Sequence, residues 1–192
     1  MFAVERIPIE RNSATRHARG DAAVVALAVV ALLWIGALLG VSFLATPVKF
    51  LAPSLSMPVA LDVGRQTFRW FGRVETFLAF AAFAGAVAVE MRDVRGFVRA
   101  GKAGALPRTL LPGGPPLATL LTVLLLAAVA VQGLWLLPLL DARVEIILQG
   151  GTPPPSSLHD LYVVIEAMKL GALVGVAWIA LDMLLRRPAE AC

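Results

Sequence analysis

Apolar residues dominate four long stretches of this chain, at residues 22–44, 74–91, 117–140 and 161–185. A helix rises about 1.5 Å per residue, so the first stretch would cover about 34 Å, enough for a hydrocarbon core of about 30 Å. That stretch is also too long for the apolar core of a signal peptide, so we expect it to be retained as a helix. We expect Pro47 and Lys49 to end this helix. The pattern predicts an all-α membrane protein whose domain, residues 22–185, is a bundle of four transmembrane helices.

The segment between the first two spans has a different pattern. Asp62, Arg65, Arg69 and Arg73 follow one another at spacings of three and four, so they line one face of a helix, and aromatic residues lie on other faces. This pattern predicts an interfacial amphipathic helix between transmembrane helices 1 and 2, which runs or bends into the second span. An ordinary solvated helix face is the alternative.

Composition supports the membrane class. Hydrophobic residues make up 59% of the 192 residues, the mean hydropathy is +0.82, and only 16% of residues are charged, whereas soluble domains average roughly 45–50% apolar and about 25% charged. The net charge of +4 lies almost entirely between the spans. We therefore attribute these charges to the orientation of the spans and to attraction by anionic lipid headgroups. We expect the lipid bilayer, not nucleic acid, as the partner.

The distribution of basic residues predicts an orientation. An even number of spans puts both termini on one side, and eleven Lys and Arg residues flank the spans on that side against five on the other. The positive-inside rule then makes the basic segment 1–21 and the short tail 186–192 cytoplasmic. Four of the five opposing residues lie in the first loop, which weakens this assignment and leaves the inverted topology open.

Glycine pairs indicate close helix packing. Gly36 and Gly40 are four residues apart in the first span, and Gly171 and Gly175 are four apart in the fourth. Such pairs leave a groove that lets helix backbones approach each other. We expect these two surfaces to contact each other or another subunit.

Two ionisable residues inside the fourth span are the main candidates for chemistry. At 100° per residue, His159, Tyr162, Glu166 and Lys169 fall within an arc of about 80° on the outer half of that helix. A charge at the centre of a span costs about 2.5–3.5 kcal/mol. In one interpretation Glu166 and Lys169 neutralise each other near the surface, where Lys169 snorkels; in the other they form an inward-facing patch for binding or proton exchange.

Other polar residues are expected on the same side of the membrane. Gln132 lies on the outer half of the third span, and Arg65 and Arg69 approach from the first loop. The outer loop after the third span begins with Asp141, Arg143 and Glu145. Together these residues could line a shallow polar vestibule. The candidates for binding or coupling are therefore Glu166, Lys169, His159, Tyr162, Gln132, Arg65 and Arg69.

The sequence offers no set of residues for a cofactor, a metal or a catalytic reaction. His17 and His159 are the two histidines, and neither lies deep in a span, which argues against a haem held by two histidines. Cys192 is the single cysteine, so no disulfide within the chain can form. We expect no cofactor, no metal site and no catalytic residues, and we do not predict an enzyme.

A resemblance supports the same architecture. The run from Gly36 to Phe50, with Pro47 near its end, is followed by Gly64-Arg65-Gln66-Thr67-Phe68. This resembles uncharacterised bacterial four-helix membrane proteins similar to the transmembrane-protein-205-like domain, over about residues 34–75. The resemblance implies a multi-pass protein of the cell inner membrane and highlights Pro47, Phe50, Gly64, Arg65 and Phe68.

Two functions fit these observations. The first is small-solute or proton-coupled transport or permeation, with Glu166 and Lys169 as the gating or coupling pair. Because four helices rarely enclose a pore, this function favours a homo-oligomer. The second is an accessory or assembly subunit that packs against a larger membrane complex through its glycine surfaces.

Overall fold

The computed structural model describes residues 9–99 and 115–186, which form helices joined by short connections, without a strand in those ranges. Residues 1–8 of the predicted N-terminal segment, 187–192 of the predicted tail 186–192, and 100–114 of the basic loop between the second and third spans lie outside the described residues. The elements in chain order are α1 (Ile9–Leu38), a π-helical segment π1 (Leu39–Ala45), α2 (Thr46–Val48), a 3₁₀ turn (Lys49–Leu51), α3 (Met57–Arg99), α4 (Pro115–Val131), a second π-helical segment π2 (Gln132–Leu136), α5 (Leu137–Leu148) and α6 (Leu158–Leu185).

The first helical run continues past the proline that was expected to end it. Pro47 has no N–H to donate, yet the chain stays helical to Leu51 and becomes extended only at Ala52. Just before this proline the backbone widens into π1, where the N–H of Thr46 donates to the carbonyl of Val41, five residues earlier. The hydroxyl of Thr46 donates to the same carbonyl at 2.8 Å. The wider turn accommodates the proline inside the helix.

The predicted interfacial segment and the second span form one uninterrupted helix. α3 runs for 43 residues from Met57 to Arg99, a length of about 64 Å. No break separates the face that carries Arg65 and Arg69 from the apolar part that follows. Of the two predicted forms, this is the one in which the first part runs straight into the second span.

The third helical run extends beyond its predicted end. The expectation that Asp141, Arg143 and Glu145 begin a loop was wrong, because all three lie within α5. The run ends at Leu148, and Gly150 follows with a φ of +80°, the left-handed conformation that glycine adopts most easily. As in the first run, a π-helical segment lies just before a proline, here π2 before Pro138.

The helices pack in a ring in chain order. The α1 helix contacts α3 and α6, and α4 contacts the same two helices from the other side. Small residues fill much of the interior: Ala31, Ala79, Ala82 and Ala180 are completely buried, which lets the helices approach closely. The short connections 52–56 and 149–157 lie at one end of the bundle, which we call the loop end.

The outer surface of the bundle is apolar. Phe77, Leu134 and Trp178 expose 74%, 83% and 72% of their surface, whereas charged side chains lie inside. Such large exposed apolar faces are not tolerated on a soluble monomer. Four helices, at Ala22–Leu51, Met57–Arg92, Pro116–Leu148 and Leu158–Leu185, are long and apolar enough to cross a membrane.

The four glycines of the predicted packing surfaces have different surroundings. A Cβ atom at Gly175 would lie 3.0 Å from Leu121 Cδ1, so this glycine permits the approach of α4 and α6. An added Cβ at Gly36, Gly40 or Gly171 would meet no described residue within 4 Å. The α1 and α6 helices do pack against each other, but these three glycines leave space that no described residue fills.

Candidate functional site

Polar and charged side chains from all four helical runs converge inside the bundle. Lys169 and Glu166 on α6 are 1% exposed, Glu75 on α3 is 2% exposed, and Gln132 at the start of π2 is 3% exposed. Trp34 on α1 is completely buried beside them. We call Glu75, Glu166 and Lys169 the charge cluster.

Lys169 is the centre of the charge cluster. Its Nζ lies 2.6 Å from Glu166 Oε1 and 2.6 Å from Glu75 Oε1. The i,i+3 pair predicted within the fourth helix is thus formed, but it is not self-contained, because α3 supplies a third charge. Lys169 also does not snorkel: its side chain is fully buried and points into the bundle. Of the near-surface interpretation, the self-contained pair and the snorkelling of Lys169 are therefore wrong.

Glu166 accepts hydrogen bonds on both of its oxygens. Lys169 and Gln132 Nε2 donate to Oε1, the latter at 2.9 Å, while Ser42 Oγ donates to Oε2 at 2.8 Å. Donors of this kind stabilise the ionised form of a carboxyl group. The other polar atom of Gln132, Oε1, is buried and has no hydrogen-bond partner among the described residues.

Glu75 has a more one-sided environment. Trp34 Nε1 donates to Glu75 Oε1 at 3.0 Å, and Lys169 Nζ donates to the same oxygen at 2.6 Å. The described residues place both donors on Oε1 and none on Oε2. The two carboxyl groups of the charge cluster are therefore not equivalent.

The charges in the interior do not balance. Two carboxylates and one ammonium carry a net charge of −1 if all three are ionised, and the cluster is buried in an apolar surrounding. An uncompensated charge in such a place is costly, and it is relieved when the group takes up a proton. A proton on either carboxyl group would remove this net charge.

Both π-helical segments contribute to the site. Ser42 lies in π1 and Gln132 lies in π2, and these two side chains donate to the same carboxylate of Glu166. A π-helical turn rotates the side chains that follow it relative to a regular α-helix, and such turns are frequent at functional sites. Here they aim two neutral donors at one charge.

An aromatic pair lies next to the charge cluster, towards the loop end. Tyr162 is one turn before Glu166 on α6 and is 5% exposed, and its ring packs edge-on against Phe68 with 5.1 Å between centroids. The ammonium of Lys49 lies 5.9 Å from the Phe68 ring and 5.0 Å from the Phe50 ring. The side chain of Lys49 also fills the space beside Gly64. Four of the positions that the family resemblance highlights, Phe50, Gly64, Arg65 and Phe68, thus lie near the loop end.

Arg65 and Arg69 form a separate group of ion pairs. Arg65 lies 2.7 Å from Asp62 Oδ1 and 2.9 Å from Glu145 Oε2, and Arg69 lies 2.7 Å from Asp141 Oδ2. These contacts join α3 to α5 and neutralise the arginines. Of the predicted vestibule residues, Arg65, Arg69, Asp141 and Glu145 therefore form a rim of ion pairs, whereas Gln132 contacts the charge cluster.

The outcome for the predicted candidates is mixed. The structure brings together Glu166, Lys169, Gln132 and Tyr162, whereas His159 is exposed on the first turn of α6. Within the described residues, no group of three His, Cys, Asp or Glu side chains is arranged to hold a metal ion.

Sequence reasoning missed Glu75, Trp34 and Ser42. Glu75 is the second residue of the predicted span 74–91, so the sequence places it at the edge of that span. One signal was available: Glu75 continues a stripe at spacings of three and four with the small residues Ala79, Ala82 and Ala86, all of which are buried. Trp34 and Ser42 carry no charge and give no such signal.

Comparison of this chain with protein-family models, with curated proteins and with solved structures found no significant match. The resemblance to the transmembrane-protein-205-like domain therefore stays a prediction. Any functional conclusion has to come from the interior of the bundle.

Proposed function

We propose that this chain is a multi-pass integral membrane protein in which proton binding at the charge cluster is coupled to the movement of a small solute. The observation that carries the proposal is that two buried carboxyl groups share one ammonium group, and that side chains from the other two helical runs donate hydrogen bonds to them. Intramembrane ionisable residues of this kind mark ion pathways and proton relays.

A purely structural role explains the cluster less well. A pair that only has to tolerate burial needs equal numbers of opposite charges, and Glu166 with Lys169 would meet that need alone. Glu75 adds a second carboxylate, while Gln132 has a buried oxygen with no donor among the described residues. Both features cost stability, which favours a role that uses them.

For its location we propose the bacterial inner membrane with both termini in the cytoplasm. The loop end would then face away from the cytoplasm. The basic residues of the first loop, which lie at this end, weaken that orientation under the positive-inside rule. Arg65 and Arg69 are paired with Asp62, Glu145 and Asp141, so their charges are compensated at that end. The first part of α3 would lie at the outer interface, where the exposed Trp70 stacks beneath Arg73 at 4.5 Å.

Proton uptake by reconstituted vesicles tests the transport proposal. Purified protein is incorporated into lipid vesicles that contain a pH-sensitive dye, loaded in parallel with K⁺ alone or with panels of amino acids, sugars and inorganic cations. We expect an imposed membrane potential to drive acidification in at least one panel, and Glu166→Gln and Lys169→Met to abolish it. Asp182→Asn is the control, because Asp182 is on the same helix but pairs with Arg186 outside the cluster. Equal rates in wild type and Glu166→Gln would refute the proposal.

The second candidate, an accessory or assembly subunit, is favoured by one observation. Gly36, Gly40 and Gly171 leave space that no described residue of this chain fills, and such glycines allow another helix to approach. If a partner or a second copy docks there, Gly40→Leu should reduce the native size of the complex in mild detergent without lowering the amount of protein. An unchanged size would contradict this candidate.

A further inference from the structure

We infer that Glu75 is the group that carries the proton, while Glu166 and Lys169 remain a fixed ion pair. The inference names the residue that binds the proton in the proposed function, and its biological role rests on that function. The assignment of the proton to Glu75 is argued from hydrogen-bond geometry alone. In the proposed step a proton joins the Glu75 carboxylate to give a neutral carboxylic acid, and the net charge of the cluster changes from −1 to 0.

The distribution of donors separates the two carboxyl groups. Glu166 receives three donors, spread over both oxygens, from Lys169, Gln132 and Ser42. A proton on Oε1 would displace Lys169 or Gln132, and a proton on Oε2 would require the Ser42 hydroxyl to rotate and accept instead of donate. Either change gives up a hydrogen bond to the charged form, which is unfavourable inside an apolar bundle. The donors therefore favour the carboxylate form of Glu166 more than that of Glu75.

Glu75 can accept a proton without losing a partner. Its two donors, Trp34 Nε1 and Lys169 Nζ, both reach Oε1, so Oε2 is available to carry the hydrogen. Lys169 would keep its bond to Glu166 in either state, since it touches both carboxyl groups at 2.6 Å. The remaining pair of Glu166 and Lys169 is neutral overall.

The surroundings of Glu75 contain few other groups that titrate. The charged or titratable side chains that face it are Lys169, Glu166 and Tyr162, all on α6. The α1 helix contributes the neutral indole of Trp34, and π2 contributes the neutral amide of Gln132 to the same cluster. A proton that enters the cluster therefore goes to one of two carboxyl groups, and the donors favour Glu75.

Infrared difference spectroscopy of the protein in lipid vesicles tests the assignment, because a protonated carboxyl group has a carbonyl stretch that a carboxylate lacks. We expect one buried carboxyl band that disappears as the pH rises, and we expect Glu75→Gln to remove it. A band that persists in Glu75→Gln with the same pH dependence, or no such band in the wild type, would overturn the inference.

Two single-donor variants decide between the carboxyl groups. Trp34→Phe removes a donor from Glu75 and should move the midpoint of the band upwards by about one pH unit, because a donor to a charged group favours the ionised form. Ser42→Ala removes a donor from Glu166 and should leave the midpoint nearly unchanged. The reverse pattern would assign the proton to Glu166.

Chemical labelling provides a second measurement that needs no variant. The O–H of a protonated carboxyl group in a membrane adds across a C=N bond of a hydrophobic carbodiimide, and the resulting O-acylisourea rearranges to a stable N-acylurea. Mass spectrometry can determine the position of this adduct. We expect the adduct at Glu75, decreasing as the pH rises; an adduct at Glu166 would overturn the inference. If the adduct is on Glu75 but vesicles take up no protons, the transport proposal fails while this assignment stands.

Discussion

The charge cluster depends on one cation, Lys169. Among the described residues, its ammonium is the one positive charge that touches both carboxylates. Lys169→Met would leave two acids close together without a cation, and breaking a buried pair in this way costs about 3–5 kcal/mol. We expect the variant to accumulate poorly and to unfold at a clearly lower temperature in detergent.

A double variant separates stability from function at this position. Glu166→Gln combined with Lys169→Met leaves Glu75 as the one acid of the cluster, and a single acid can be neutral when protonated. The double variant should therefore recover part of the stability lost in Lys169→Met, measured as the same unfolding midpoint. It should not recover proton uptake. A double variant as unstable as Lys169→Met would show that charge balance is not what the cluster provides.

At the residue scale, the sequence was informative where a charge interrupts an apolar stretch. Glu166 and Lys169 stood out for that reason, and helical spacing brought in Tyr162. The sequence could not show that Lys169 reaches another helix, because a pair at i,i+3 satisfies the same rule within one helix. It also could not reveal Trp34, because a tryptophan in an apolar span is unremarkable until its indole N–H is seen to bind a carboxylate.

At the scale of elements, the prolines have a meaning different from the one expected. Pro47 was expected to end a helix, but Pro47 and Pro138 both lie inside long helical runs, each just after a π-helical segment. The missing N–H of the proline and the wider π turn fit together. The same turns present Ser42 and Gln132 to Glu166, so two sequence-level helix breakers help to build the site. The local preference of proline predicted that the first helix ends at Pro47, but in the packed bundle the chain stays helical there.

Two glycines on one helix give a matched test of packing. A Cβ added at Gly175 would lie 3.0 Å from Leu121 Cδ1 of α4. A Cβ added at Gly171, about one turn away on α6, would meet no described residue within 4 Å. Gly175→Leu should therefore push α4 and α6 apart and cost about 1–3 kcal/mol, as overpacked cores do. Gly171→Leu should leave the unfolding midpoint of the isolated chain unchanged. Equal effects of the two substitutions would contradict this arrangement of α4 and α6.

At the scale of the whole molecule, the number and order of the helices could be predicted, and their ends could not. Apolar length alone indicates four spans, and the structure has four helices of that kind. The ends depend on long-range partners: Asp141 and Glu145 are helical where they bind Arg69 and Arg65 of α3. The sequence placed Glu75 at the edge of a span for a related reason. Its position inside the bundle depends on α3 being continuous through residues 57–74.

The orientation of the bundle is open to a direct measurement because the chain has one cysteine, Cys192. With Cys192 replaced by serine, either Ser54→Cys or Ser156→Cys introduces a single thiol. Each position is exposed and lies in one of the two connections of the loop end. With the termini in the cytoplasm, a membrane-impermeant maleimide should label both thiols in intact cells. Cys192 of the wild-type chain should react only after the membrane is permeabilised.

The three thiols distinguish an inverted bundle from a wrong fold. Labelling of Cys192 but of neither loop thiol would show that the orientation is inverted. The ion pairs of Arg65 and Arg69 would then not explain why the first loop is basic. If only one loop thiol reacts from outside, the two connections lie on opposite sides of the membrane. Four membrane-crossing helices in a ring, joined as in this chain, cannot produce that result, so the multi-pass arrangement and the placement of the charge cluster inside the membrane would fall together.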